Sequence, residues 1–420
     1  MKKKKFLAVF STMAIAASML AAMPASAANY TPVQGTTTEV QKYLVLDKDA
    51  EVPTATFNYT ITPGAEKKYD EKDSIAAYAG IMPSGTTGIT GTVSFAAGDT
   101  TVNGAIDDGI TNSTDKKYVK KGFDLNFSGV SFPEPGVYRY VLTEDNAGAT
   151  DNLGAGIKHV GNYRKTLDVY VTDNDGTLGV ERYILYNSII ETAPAISNDE
   201  ALNNKVNRTD TTNTAKTDGF VNEYESKSLS FAKKVEGNQG SKDKYFKFTV
   251  KIENALGANL KVLMDNAETA PTVNNATVYT AEVMATANGI DDIDENTAAG
   301  QQLVIDSNEK SYDFYLQNGQ YITLEGLPKG ATYTVSEDAE EYTAADGATF
   351  GTGTSANAFT GAIQGDIGDN DIKTGFTNTK DGTIPTGVIL SIAGPAVLGI
   401  AVVGGIVYMT LKRKKEEEQD

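Results

Sequence analysis

Leu167–Val171 reads LDVYV, Thr172–Thr177 reads TDNDGT, and Glu181–Tyr186 reads ERYILY. Two alternating runs joined by an Asn-Asp-Gly turn are a β-hairpin signal, because period-two alternation sorts side chains onto two faces and Asp-Gly tolerates the positive φ of a tight loop. The same alternation, rich in Val, Tyr, Thr and Phe, recurs in Thr56–Ile61 (TFNYTI), Val137–Thr143 (VYRYVLT), Tyr245–Ile252 (YFKFTVKI) and Tyr333–Glu337 (YTVSE). Gly, Asn, Asp and Pro clusters separate these runs, so the expected class is all-β, built as antiparallel sandwiches. From Asn187 to Asp218 the alternation is lost and a long loop is expected. FVNEY at Phe220–Tyr224 reads as one last strand, and LSFAKKVEG at Leu229–Gly237 starts a second series. The boundary is therefore placed near Glu225–Ser228, giving domains over 28–225 and 226–380.

The ends of the chain carry addresses. Lys2–Lys5 precede an apolar run, Phe6–Met23, and Ala25-Ser26-Ala27 supplies small residues for a signal peptidase, so residues 1–27 are expected to be removed before Ala28. At the other end Val388–Leu411 is uncharged. Its 24 residues reach roughly 36 Å as a helix, enough to cross a bilayer. Lys412–Lys415, within the tail 412–420, would hold that end in the cytoplasm. Just before the span, in the stretch 381–387, stands Thr383-Ile384-Pro385-Thr386-Gly387. This order of parts resembles the sorting signal of Gram-positive surface proteins, in which a sortase cuts between Thr and Gly, here Thr386 and Gly387.

Subtracting the eight basic and four acidic residues of the two ends from 37 and 55 leaves 29 basic and 51 acidic residues, a net charge of −22 for the ectodomain. Such a surface argues against nucleic acid, whose phosphates are bound through clustered Lys and Arg. Cysteine is absent from an exported chain, so stability must come from packing or from a covalent device other than a disulfide. His159 is the sole histidine, which excludes a multi-His metal site; it reads as a loop residue. Asp291, Asp292, Asp294 and Glu295 form an acidic cluster without the glycine of a calcium loop, and no metal or cofactor is expected.

The two series share an ordered set of polar residues. Each opens with a Lys strand (Lys42 in VQKYLVL, Lys233 in LSFAKKV), continues with a Tyr strand ending in Glu (Glu144, Glu337), and closes with a Phe-x-Asn strand (Asn222, Asn378). Strand parity places Lys42 with Val40, Leu44 and Leu46, Lys233 with Phe231 and Val235, Glu144 with Tyr140 and Leu142, Glu337 with Tyr333 and Val335, and each Asn with its Phe. All six are thus predicted to face apolar cores. A lone buried charge is costly, so desolvation should favour a neutral Lys amine and a protonated Glu. A neutral amine can attack the Asn amide while the acid polarises the carbonyl and shuttles protons, releasing ammonia and leaving a Lys–Asn isopeptide bond. The loop-closure model gives such cross-links about 5 kcal/mol.

The K-x-L and K-x-V-x-G opening strands, the Y-x-Y-x-x-T-E and Y-x-V-x-E strands and the F-x-N closing strands resemble those of FctA-type backbone pilins of Gram-positive bacteria. TIPTG is similar to that family's V-P-T-G type signals, and GLPKGATYTVSE is also similar to Cna-B-type stalk domains. The resemblance implies two immunoglobulin-like sandwiches, with Lys42 joined to Asn222 with help from Glu144, and Lys233 joined to Asn378 with help from Glu337. It implies a non-enzymatic shaft subunit of a wall-anchored pilus, whose precursor is held in the plasma membrane. A pilus-class sortase would pass the Thr386 carbonyl to a Lys of the next identical subunit, with minor pilins and peptidoglycan as further partners. Lys216 is the first candidate acceptor and Lys205 the second; no Y-P-K-N acceptor motif is present. A monomeric wall-anchored adhesin, or a tip or basal pilin with the same domains, is the alternative.

Overall fold

The computed structural model describes residues 30–66, 77–84, 88–103, 115–145, 154–190, 216–268, 277–278, 302–353 and 356–382. The leader 1–27, the TIPTG motif, the apolar run 388–411, Lys205 and the acidic cluster at 291–295 lie outside these residues. Among the described residues every regular element is a strand, and no helix is long and apolar enough to cross a membrane.

The first group of strands forms two facing sheets. One runs, edge to edge, through Ile157–Val160, Gly219–Tyr224, Thr37–Asp47, Lys116–Asn126 and Val102–Asn103. The other runs through Thr177–Leu185, Arg164–Asn174, Gly136–Glu144, Ala55–Pro63 and Thr90–Phe95. Between them lies one core that includes Leu44, Phe57, Tyr59, Phe123, Leu142, Val169 and Phe220. Each such side chain, removed from water, contributes about 1.5–3 kcal/mol of transfer free energy. The hairpin expected at Thr172–Thr177 is present: Asn174 faces Thr177, and Asp175 and Gly176 between them take φ of 53° and 87°, the double positive-φ turn that suits twisted strands.

The second group repeats the plan. Asn259–Asn266, Gln320–Pro328, Ser226–Glu236, Ile372–Thr379 and Thr343–Asp346 make one sheet; Glu309–Leu316, Phe246–Glu253, Thr332–Glu337 and Gln364–Asp366 make the other. Phe231, Phe248, Phe314, Leu324 and Val335 fill the space between. Both units are immunoglobulin-like sandwiches.

One expectation needs correction. The sandwiches are not wholly antiparallel, because the opening strand Thr37–Asp47 pairs in parallel with the closing strand Gly219–Tyr224, and Ser226–Glu236 pairs in parallel with Ile372–Thr379. Parallel neighbours need a long crossover, and here nearly a whole domain separates each pair. Alternation along one strand reports which face is buried but says nothing of its neighbour's direction.

Candidate cross-linking sites

In each sandwich the Lys and the Asn sit on adjacent strands of one sheet, and the Glu reaches across the core from the other. Lys42 is in register with Phe220, and Asn222 lies two residues further along; Lys233 is in register with Phe376, and Asn378 again lies two further. The common offset turns Lys and Asn to the same inner face. A glycine allows the approach in both cases. A Cβ on Gly219 would stand 1.8 Å from the Gln41 carbonyl oxygen, and one on Gly375 would stand 2.9 Å from that of Ala232. Gln41 and Ala232 are the residues just before the two lysines, so Gly-Phe-x-Asn is the local sequence that lets the closing strand lie against the Lys strand.

In the first domain Lys42, Glu144 and Asn222 are at most 1% exposed. Lys42 Nζ donates to Glu144 Oε2 at 2.6 Å and to Asn222 Oδ1 at 2.6 Å, while Asn222 Nδ2 donates to Glu144 Oε1 at 2.9 Å. The Phe57 ring centroid lies 4.0 Å from Nζ, and Tyr59 donates its hydroxyl to Glu144 Oε2 at 3.1 Å. In the second domain Lys233 and Asn378 are fully buried. Lys233 Nζ bonds Glu337 Oε1, Asn378 Nδ2 donates to the same oxygen at 2.9 Å, and Phe246 stands 4.1 Å from Nζ in the place of Phe57. Asn378 Oδ1 and Glu337 Oε2 are buried without a hydrogen-bond partner.

The two sites differ in electrostatics. In the second, burial brings the Lys233 amine down to about 8 against the opposing pull of Glu337, and burial raises Glu337 above the usual carboxylate range. Those are the directions predicted from desolvation. In the first the direction for Glu144 is reversed. Burial pushes the carboxyl up, but the Lys42 ammonium and the adjacent His159 outweigh it and hold the group at about 2. The prediction of a protonated acid left out the second nitrogen group beside Glu144.

That group is the main correction to the sequence reading. His159 is not a loop residue: it lies in the edge strand Ile157–Val160, paired directly with Asn222, with its side chain 8% exposed. Its Nδ1 is 3.2 Å from Asn222 Oδ1 and 3.5 Å from Glu144 Oε1. The signal lay in IKHV, where Ile157 shares a face with His159, but the glycines on either side disguise so short a strand. Phe57, Tyr59 and Phe246 were likewise missed, since an aromatic in a core strand gives no sign that it covers an amine.

Lys216, the first candidate acceptor, forms an isolated bridge with Tyr186 at the approach to the closing strand. It is half-buried rather than exposed, and burial, with Arg182 nearby, lowers its amine below the ordinary 10.5.

The FctA family, described as a Spy0128-like isopeptide containing domain, matches residues 38–225. The N-terminal domain is similar to the FctA family over that span. A domain of unknown function, DUF7601, matches residues 227–380, the span that holds the second Lys-Glu-Asn set. A protein named Pilin from Streptococcus pyogenes serotype M1 is 26% identical over 321 residues, covering 72% of this chain and 75% of that protein. Among solved structures, the major pilin from Streptococcus pyogenes is 20% identical with a TM-score of 0.47, covering 83% of this chain and all of that one. The T-13 major pilin of the same species is 22% identical with a TM-score of 0.42, covering 84% and 100%.

Proposed function

We propose that the chain is the shaft subunit of a covalently polymerised surface pilus, and that each domain closes itself with a Lys–Asn isopeptide bond. The observation that carries this reading is the recurrence, in both domains, of a buried Lys and Asn on adjacent parallel strands with a Glu across the core. In the FctA domain a proton moving along the Lys42–Glu144 hydrogen bond converts the ion pair into neutral amine and acid, an exchange that burial promotes and that the charge of Lys42 and the contact with His159 oppose. The second domain starts nearer that neutral state. Attack by Nζ on the amide carbon then expels ammonia, with the Glu carrying the proton to the leaving nitrogen. The product is uncharged, so the buried-charge cost disappears with the reaction.

Between subunits, the sortase signal at Thr383–Gly387 supplies the acyl donor, with cleavage after Thr386 and the apolar run 388–411 holding the precursor in the membrane. Lys216 is the proposed acceptor, since its position beside the closing strand and its depressed amine suit a nucleophile; Lys205 is second. Identical subunits, minor pilins, the sortase and peptidoglycan are the partners this requires.

Two experiments test the reading. Intact mass of the recombinant ectodomain should fall short of the sequence mass by two ammonia molecules, about 17 Da each. An unshifted mass would refute the internal chemistry. Immunoblots of wall extracts boiled in SDS should show a regular high-mass ladder that disappears in Lys216→Ala. A single band would instead favour the monomeric adhesin.

A further inference from the structure

We propose that His159 is a catalytic residue of the FctA-domain bond, donating from Nδ1 to Asn222 Oδ1 as negative charge builds on that oxygen; this rests on the isopeptide reading above. Three observations carry it. The Nδ1 atom is 3.2 Å from the reacting amide oxygen and 3.5 Å from Glu144 Oε1. Both are acceptors, so Nδ1 must bear the hydrogen. The other ring nitrogen, Nε2, is buried with no hydrogen-bond partner, so the ring's polar contacts are all made through Nδ1. The arrangement therefore places a hydrogen on Nδ1, the ring atom that faces both acceptors. Pairing of His159 with Asn222 across the strands fixes the ring, and the rings of Tyr163 and Phe220 stand 6.0 and 6.5 Å from it.

The step balances. The Lys42 Nζ lone pair forms the new bond to the Asn222 amide carbon, and the carbonyl π electrons move to Oδ1, where Nδ1–H of His159 holds them. A proton from Nζ passes through Glu144 to Nδ2; the carbonyl re-forms and NH₃ leaves. His159 gains and loses nothing. In the second domain the corresponding oxygen, Asn378 Oδ1, has no partner. Its bond therefore serves as an internal clock that His159 does not touch.

The test uses the whole ectodomain, made by cell-free translation and quenched in denaturant at intervals. Mass spectrometry of tryptic peptides then follows the Lys42–Asn222 and Lys233–Asn378 cross-links in the same molecules. His159→Phe keeps an aromatic ring but has no donor, and should slow the first cross-link about a hundredfold, as loss of an oxyanion donor does, leaving the second unchanged. His159→Gln restores an N–H and should recover part of the rate, which a role in packing alone would not give. A wild-type rate in His159→Phe overturns the proposal, as does Gln slowing the bond no less than Phe. A wild-type protein that never forms the first cross-link refutes the isopeptide reading itself, and this assignment with it.

Discussion

Glu144 is flanked by Lys42 at 2.6 Å and by His159 at 3.5 Å, whereas Glu337 contacts Lys233 and Asn378 and keeps one oxygen unpartnered. The same buried Lys–Glu pairing thus lowers the carboxyl in one domain and leaves it raised by burial in the other. Glu144→Ala should abolish the ammonia loss of the first domain only, and Glu337→Ala that of the second only, as read by intact mass. Each also leaves a buried Lys without its counter-charge, at a cost of about 3–5 kcal/mol, visible as a lower denaturation midpoint for that domain. The depressed Lys233 gives a pH dependence in a form that cannot react, Asn378→Ala. Between about 8 and the ordinary 10.5 the unfolded chain holds a proton on Lys233 that the folded domain has released. Stability of that domain should therefore rise with pH across this window, because the unfolded state binds more protons there. Chemical denaturation at pH 7.5, 9 and 10.5 checks this; a flat or falling trend would contradict it.

The closing strand is the element on which each site depends. Gly219 lets it lie against the Gln41 carbonyl, and no side-chain adjustment can relieve a backbone contact of that kind. Gly219→Ala should force the strands apart and stop the first ammonia loss, while the second persists; an unchanged mass would show that the strand can shift without losing register. How much of this was legible follows from what alternation encodes. Parity placed Lys42, Lys233, Glu144, Glu337 and both asparagines inward, and all six side chains are buried. It could not give the parallel direction of the closing strand, since direction is set by the crossover. Nor could it recover His159, whose strand has only four residues and sits between glycines. The hairpin at Asp175–Gly176 was readable because its turn chemistry is local.

At the scale of the molecule, tension applied to the two ends of the ectodomain enters each domain at its opening strand and leaves at its closing strand. Adjacent parallel strands resist in shear, and the proposed bond between them would carry the load past everything else in the sandwich. Pulled singly by force spectroscopy, the wild type should lengthen only outside its cores. Lys42→Ala should add an extension on the order of 600 Å, the contour of the 180 positions separating Lys42 from Asn222. Equal extensions for the two proteins would exclude a cross-link there.

The shared register of Lys and Asn has a further consequence, which concerns cutting rather than pulling. With both bonds formed, the chain becomes two closed rings joined in series, and a protease that nicks either ring releases nothing, because the new ends remain tied through the cross-link. The one stretch whose scission would part the subunit between its rings is Glu223–Ala232. It is almost entirely strand, and Glu225 in its middle is held on both sides, its N–H donating to the Gly156 carbonyl at 2.8 Å and its own carbonyl accepting from Lys329 at 2.9 Å. The single covalent path between the two rings would thus be a well-sheltered one.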